Sequence, residues 1–200
     1  MVLNVSQRQN VEILMLLAKD FSGDYNANNL SKLADITPRG ALKALKNLQK
    51  KRLILGKKMG KATFYKADLE DYYAFRMLEA LLIEEAREKA GRWISEFGSL
   101  LPPAEIVLIF GSILRNAKKA NDIDLLIVFK KESYSAVNKL INEKKAISSN
   151  TLHIVKQTPD DLYKNLKKRD EVLLNIIKNS YVLHGYDKLL EVIKNATRIQ

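Results

Sequence analysis

The chain has no cysteine, so neither a disulfide nor a thiolate metal site can form. Its apolar runs fall far short of the ~20 residues that a membrane-spanning helix needs. The first residues show no charged stretch leading into an apolar one, and the chain is polar by residue 6, so no signal peptide is expected. These absences predict a soluble cytoplasmic protein with no membrane partner. A further scarcity is local. Residues 28–67 hold eleven Lys and Arg against one acid, Asp35, whereas the other 160 residues carry 23 basic and 22 acidic side chains. Ten units of the net charge of +11 therefore lie in one 40-residue segment. Charge so concentrated points to a polyanionic partner rather than to general solubility.

Apolar residues make up 46% of the chain, enough for real cores in one or two domains of ordinary size. Residues 7–19 have the periodicity of a core-facing helix, and Asn28 to Ala34 is a short helix candidate. Thr37 then supplies an N-cap, and Pro38 fits the first helical position, where its missing N–H costs nothing. The helix they open runs to about Lys51. Ala41, Leu42, Leu45 and Leu48 are expected on one face, and Arg39, Lys43, Lys46 and Lys50 on another. Leu53 to Leu55, a turn over Lys57, Lys58, Gly60 and Lys61, and Thr63 to Lys66 predict a β-hairpin with a basic tip.

Helix, helix, basic helix and basic hairpin resemble a winged helix-turn-helix domain across roughly residues 5–67. The resemblance implies double-stranded DNA as partner, with the third helix in the major groove and the hairpin on backbone or minor groove. Arg39 and Lys43 then come near base edges or phosphates, and Lys46, Lys57, Lys58 and Lys61 near phosphates, with Lys50 completing the basic face. A solvated basic helix serving a protein contact is the other reading of the same residues. If ~4–6 phosphates are contacted, log affinity should fall against log salt with a slope of roughly −4 to −5.

From Asp68 to about Phe97 there is no proline and one glycine, Gly91, while Tyr72, Phe75, Leu78, Leu82 and Ala86 recur at helical spacing. One long helix, or two, is expected to connect the flanking domains, either as a homodimer contact or packed within the chain. Gly98 to Pro103 reads as a linker. The expected organisation is an N-terminal domain over 1–67, a connecting helix over 68–100 and a C-terminal domain over 101–200, in an α+β chain.

The C-terminal segment contains the most specific pattern. Ile106 to Phe110 is an apolar strand; Gly111 and Ser112 form a turn; after a nine-residue spacer come Asp122 and Asp124, followed by another apolar run. Side chains alternate across a strand, so the two carboxylates share a face. Strand, Gly-Ser, spacer and Asp-x-Asp together resemble the DNA polymerase β-like nucleotidyltransferases, in particular their minimal type, from Leu101 to near the C-terminus. The elements after Pro103 read as strands over 105–110, 123–129 and 151–156 and helices over 112–118, 133–146, 159–178 and 187–197, a mixed α/β domain that fits the minimal form of the family. The resemblance implies a nucleoside triphosphate held by Gly111 and Ser112, with Arg115 as a further phosphate contact, and Mg²⁺ or Mn²⁺ on Asp122 and Asp124. Tyr181 to Tyr186 resembles the closing strand and turn of such domains, with His184 structural.

The family also expects a third carboxylate, on the next strand, as base or second metal ligand. That strand, Thr151 to Lys156, contains no acid, and His153 stands where an Asp or Glu is expected. Asp160 and Asp161 follow Pro159, at the start of a helix. Asn116 and Asn121 stand where relatives often carry Gly and Ser. His153 is a candidate proton acceptor, its unperturbed imidazole titrating near 6.5; a lone strand histidine also has a plain structural reading. Three functions follow: a DNA-binding regulator whose C-terminal domain binds Mg-nucleotide with weak or no transfer; an antitoxin-like transferase acting on RNA or a partner protein; or an interaction protein with both sites vestigial.

Overall fold

A computed structural model describes residues 5–115 and 120–198. The chain divides into two units, Met1–Leu81 and Leu82–Gln200, with the division inside the helix Tyr72–Glu96.

In the N-terminal unit the elements are α1 (Val5–Lys19), β1 (Tyr25–Asn26), α2 (Ala27–Leu33), α3 (Pro38–Lys50), β2 (Ile54–Met59) and β3 (Ala62–Ala67). Helix α2 begins where the Asn26 side-chain oxygen accepts from the N–H groups of Asn28 and Asn29 while the Asn29 side-chain oxygen accepts from the Asn26 N–H. Helix α3 begins at Pro38, with the Thr37 hydroxyl oxygen accepting from the Gly40 N–H at 3.1 Å. Its buried residues are Ala41, Ala44, Leu45 and Leu48, which pack toward α1 and α2. That set is spaced i, i+3, i+4, i+7, the rows that share one helix face. Leu42 falls a hundred degrees off that face and is 40% exposed, so the expected apolar face is corrected: Ala44 belongs to it and Leu42 does not.

The three strands pair antiparallel in the order β1-β3-β2. Strand β1 had no periodic signal, because two residues are too few to show one. The hairpin is tighter than expected: β2 continues through Met59, leaving Gly60 and Lys61 as the turn, and Gly60 has φ +60°. Glycine with positive φ followed by a residue without it is the pattern of a type II′ turn, which matches the twist of the strands.

Helix α4 (Tyr72–Glu96) is one continuous helix whose first ten residues belong to the N-terminal unit and the rest to the C-terminal one, and a single 3₁₀ turn, Gly98–Leu100, follows it. Leu100 is fully buried, so this stretch is part of the core and not a solvated linker. The remaining elements are β4 (Ile106–Phe110), β5 (Asp122–Val128), α5 (Tyr134–Ile147), β6 (Thr151–Gln157), α6 (Pro159–Lys167), α7 (Glu171–Lys178), β7 (Tyr181–His184) and α8 (Tyr186–Thr197). The sheet order is β6-β5-β4-β7, with β5 and β6 parallel and the other pairs antiparallel.

One face of the sheet presents Val107, Ile109, Ile123, Leu125, Ile127 and Leu152 to a core shared with Trp93, Phe97, Val137 and Ile141. Each such fully buried side chain contributes about 1.5–3 kcal/mol relative to exposure. On the other face α8 lies against β4 and α6 against β6, with α6 and α8 packed together. Near-continuous apolar runs in β4 and β5 reflect this two-sided burial. The expected helix over 159–178 is two helices. Arg169 adopts φ +57°, and Asp170 accepts from the Leu173 N–H at 2.9 Å to start α7. A side chain that caps the backbone outweighs an apolar period that would otherwise run through it. Among the described residues no helix is long and apolar enough to cross a membrane.

Candidate nucleotide site and basic face

Strand β4 ends at Phe110, and Gly111 turns the chain with φ +86° and ψ −159°. One 3₁₀ turn follows, Ser112–Leu114, anchored by Ile113 in the core and closed by the Arg115 N–H donating to the Ser112 carbonyl at 3.0 Å. The helix expected over 112–118 is therefore only this turn within the described residues, and it offers no helix-length dipole. Residues 116–118 of that expectation, Asn116 among them, lie outside the described residues. Ser112 and Arg115 are exposed.

Strand β5 returns antiparallel so that Asp124 sits opposite Phe110. A Cβ on Gly111 would lie 1.9 Å from the Asp124 Oδ2, so the carboxylate occupies the space that any other residue would fill. The Gly-Ser turn and the Asp-x-Asp strand are thus one structure, locked by register. Asp122 and Asp124 share a sheet face and are both half-buried. The loops feeding this end are tied together: the Thr151 N–H donates to the Asn121 carbonyl at 3.0 Å, and the Asn150 side-chain amide donates to the Ala120 carbonyl at 3.1 Å.

Parallel pairing of β5 with β6 sets His153 directly beside Asp124. Its Nδ1 is 3.4 Å from the Asp124 Oδ1, and the imidazole is 59% exposed. Asp160 and Asp161 are elsewhere. They follow the far end of β6, where Gln157 pairs with Val128; at about 3.3 Å per residue that is several residues along the sheet from Asp124. Asp160 bonds Lys164 at 2.6 Å. Asp161 completes a capping box with Thr158, whose hydroxyl holds the carboxyl below its usual range. Among the described residues, no three His, Asp or Glu side chains converge as a metal cage. A hard cation such as Mg²⁺ is commonly held by one or two carboxylates plus substrate phosphates and water, so Asp122 and Asp124 suit an ion delivered with a triphosphate.

His184, expected to be structural, is half-buried at the end of β7. It bonds the Ala104 backbone, and burial, followed by the Lys188 charge, pushes its pKa below the ordinary 6.5. Because the folded value lies below the unfolded one, its contribution to stability is complete above about pH 6.5 and is lost as pH falls toward the folded value. Unfolding followed by Trp93 fluorescence should show this acid loss in the native chain and less of it in His184→Gln; equal loss in both would reject the assignment.

In the N-terminal unit, Arg39, Lys43, Lys46 and Lys50 are all exposed on α3, opposite its buried face. Lys61 is at the hairpin tip. Lys57 and Lys58 do not share a face: Lys58 lies across from Thr63, on the side of buried Tyr65, and Lys57 lies across from Phe64 on the other side. Both belong to β2 and not to the turn, and the period of a strand separates them.

Residues 94–189 match the family described as polymerase beta, nucleotidyltransferase. The C-terminal segment thus carries a nucleotidyltransferase domain, in agreement with its Gly-Ser turn, Asp-x-Asp strand and mixed sheet. Comparison with curated proteins and with solved structures gives no match for the chain.

Proposed function

We propose that this protein is a DNA-binding, regulator-like protein whose nucleotidyltransferase domain binds a Mg-nucleotide and has weak or no transfer activity. The observation that carries the reading is the pairing of an intact Gly111–Asp124 lock with the lack of a third converging carboxylate among the described residues. Domains of this family generally use a divalent metal and a nucleoside triphosphate; here Asp122 and Asp124 would hold the ion, while the backbone at Gly111, the Ser112 hydroxyl and Arg115 would meet phosphates. The order of helices and strands in the N-terminal unit supports a winged helix-turn-helix, with the cationic face of α3 for duplex DNA. Lys46 and Lys50 then meet phosphates, and Lys61 reaches backbone from the hairpin.

A second reading has one observation in its favour. His153 stands in register beside Asp124, where a transferase needs a proton acceptor, so RNA or a partner protein could serve as acceptor of a nucleotidyl group. One set of measurements separates the readings. Nucleotide binding with Mg²⁺ or Mn²⁺ should be saturable in the native chain and lost in the Asp122→Ala, Asp124→Ala double variant. Duplex DNA affinity should change at saturating nucleotide and fall against log salt with a slope of roughly −4 to −5. DNA affinity indifferent to bound nucleotide would defeat the regulator. Label transfer from an α-labelled triphosphate that requires both aspartates would establish the transferase instead.

A further inference from the structure

We infer that Leu42 reads a thymine methyl group in the major groove, making it a specificity-determining residue of the DNA-binding face. The inference rests on the DNA-binding reading above and adds the chemistry of the site recognised. With 3.6 residues per turn, Arg39, Lys43, Lys46 and Lys50 form one stripe directly opposite buried Ala41, Ala44, Leu45 and Leu48. Pro38, Leu42 and Gln49 lie on one flank of that stripe as exposed uncharged positions, with Pro38 taken up by the helix start. Gln49 already has a neighbour: its side-chain nitrogen is 2.9 Å from where a Cβ on Gly56 would stand, so it lies over the hairpin. Leu42 has Arg39 three residues before it and Lys46 four residues after it, the spacings that make neighbours on a helix surface.

A lone exposed leucine is ordinary on a protein surface. This one flanks the cationic stripe, in the segment that holds nearly all the excess positive charge, which favours a polyanion as occupant. On duplex DNA the stripe is complementary to phosphates but carries little sequence information, since backbone contacts position and base contacts specify. Leucine can neither donate nor accept a hydrogen bond. The apolar feature that base edges offer in the major groove is the thymine C5-methyl, so a side chain of this kind distinguishes T from C by contact alone.

The test uses the full chain and the duplex it prefers after in vitro selection. Each thymine is replaced singly by deoxyuridine, which removes the methyl and leaves every hydrogen-bonding group. One replacement should weaken binding about three- to fivefold, the effect of losing one buried methyl. The same replacement should have no effect on the Leu42→Ala variant, whose fold is preserved because the side chain is exposed. Binding that tolerates every replacement in the native chain would overturn the inference, as would a loss that persists in Leu42→Ala. Absence of any salt-dependent duplex binding would instead bring down the DNA-binding reading itself, and the thymine contact with it.

Discussion

Gly111→Ala should weaken Mg-nucleotide binding by at least the roughly 10–100-fold seen when groups supporting a metal ligand are disturbed. Two independent effects act at this position. The backbone, at φ +86° and ψ −159°, lies where L residues with a Cβ are strained by about 1–3 kcal/mol. The new Cβ would also stand 1.9 Å from the Asp124 Oδ2, 2.9 Å from its Cγ and 3.2 Å from its Cβ. Rotating the carboxylate away relieves the first contact but not the last, because the Asp124 backbone is held by pairing to Phe110 on one side and His153 on the other. The Asp124 carboxylate must therefore rotate out of its position and its Cβ give by a few tenths of an ångström. Titration calorimetry with a triphosphate and Mg²⁺ should show the loss, with Gly98→Ala as control, since a Cβ there meets nothing within 4 Å. Native-like binding by Gly111→Ala would mean that nucleotide is held somewhere other than this turn.

The second large effect is expected at Gly185. It adopts the left-handed conformation, φ +75° and ψ +41°, between β7 and α8. A Cβ would stand 2.0 Å from the Glu105 carbonyl oxygen and 3.0 Å from both the Glu105 carbonyl carbon and the Ile106 Cα. All three atoms are backbone, so no side-chain rotation relieves the contact, and β4 would have to shift against β7. Gly185→Ala should therefore cost more than about 3 kcal/mol, near the top of the range for point substitutions. Gly60→Ala is the matched comparison: φ is again positive, at +60°, but nothing lies within 4 Å. Strain alone should cost it about 1–2 kcal/mol. Trp93, the single tryptophan, is buried in the C-terminal core and reports unfolding there. Since Gly60 is in the other unit, its variant is followed by amide exchange at β2 and β3. Equal costs at the two glycines would show that the Glu105 contact is absorbed by movement.

Much of the site was legible as local pattern. Apolar runs bounded by Gly111 and by Asp122 marked β4 and β5, and alternation along β5 placed both carboxylates on one face before any partner strand was known. The Thr37–Pro38 start of α3 was equally readable, because capping chemistry is confined to four adjacent residues. Misreadings came where two local signals competed. The hydrophobicity of Leu42 points to the core, yet its angle on α3 excludes it. The apolar period through 159–178 hides the break at Arg169 and Asp170, and Lys57 and Lys58 resemble turn residues because lysine and glycine cluster in loops. Strand β2 simply continues through them to Met59.

By itself the sequence determined the absence of thiol chemistry, the concentration of positive charge over 28–67, the Gly-Ser and Asp-x-Asp elements, and the lack of an acid between Thr151 and Lys156. All are properties of composition or of neighbours along the chain. The tertiary structure decided that Asp124 lies in the space a Gly111 side chain would fill, that His153 rather than Asp160 or Asp161 stands beside it, and that Leu42 faces outward among cations. Those relations depend on strand register and helix rotation, which are settled by packing across the whole sheet and core. A shift of one residue in β5 would turn both carboxylates to the other face, and nothing within the strand itself forbids it.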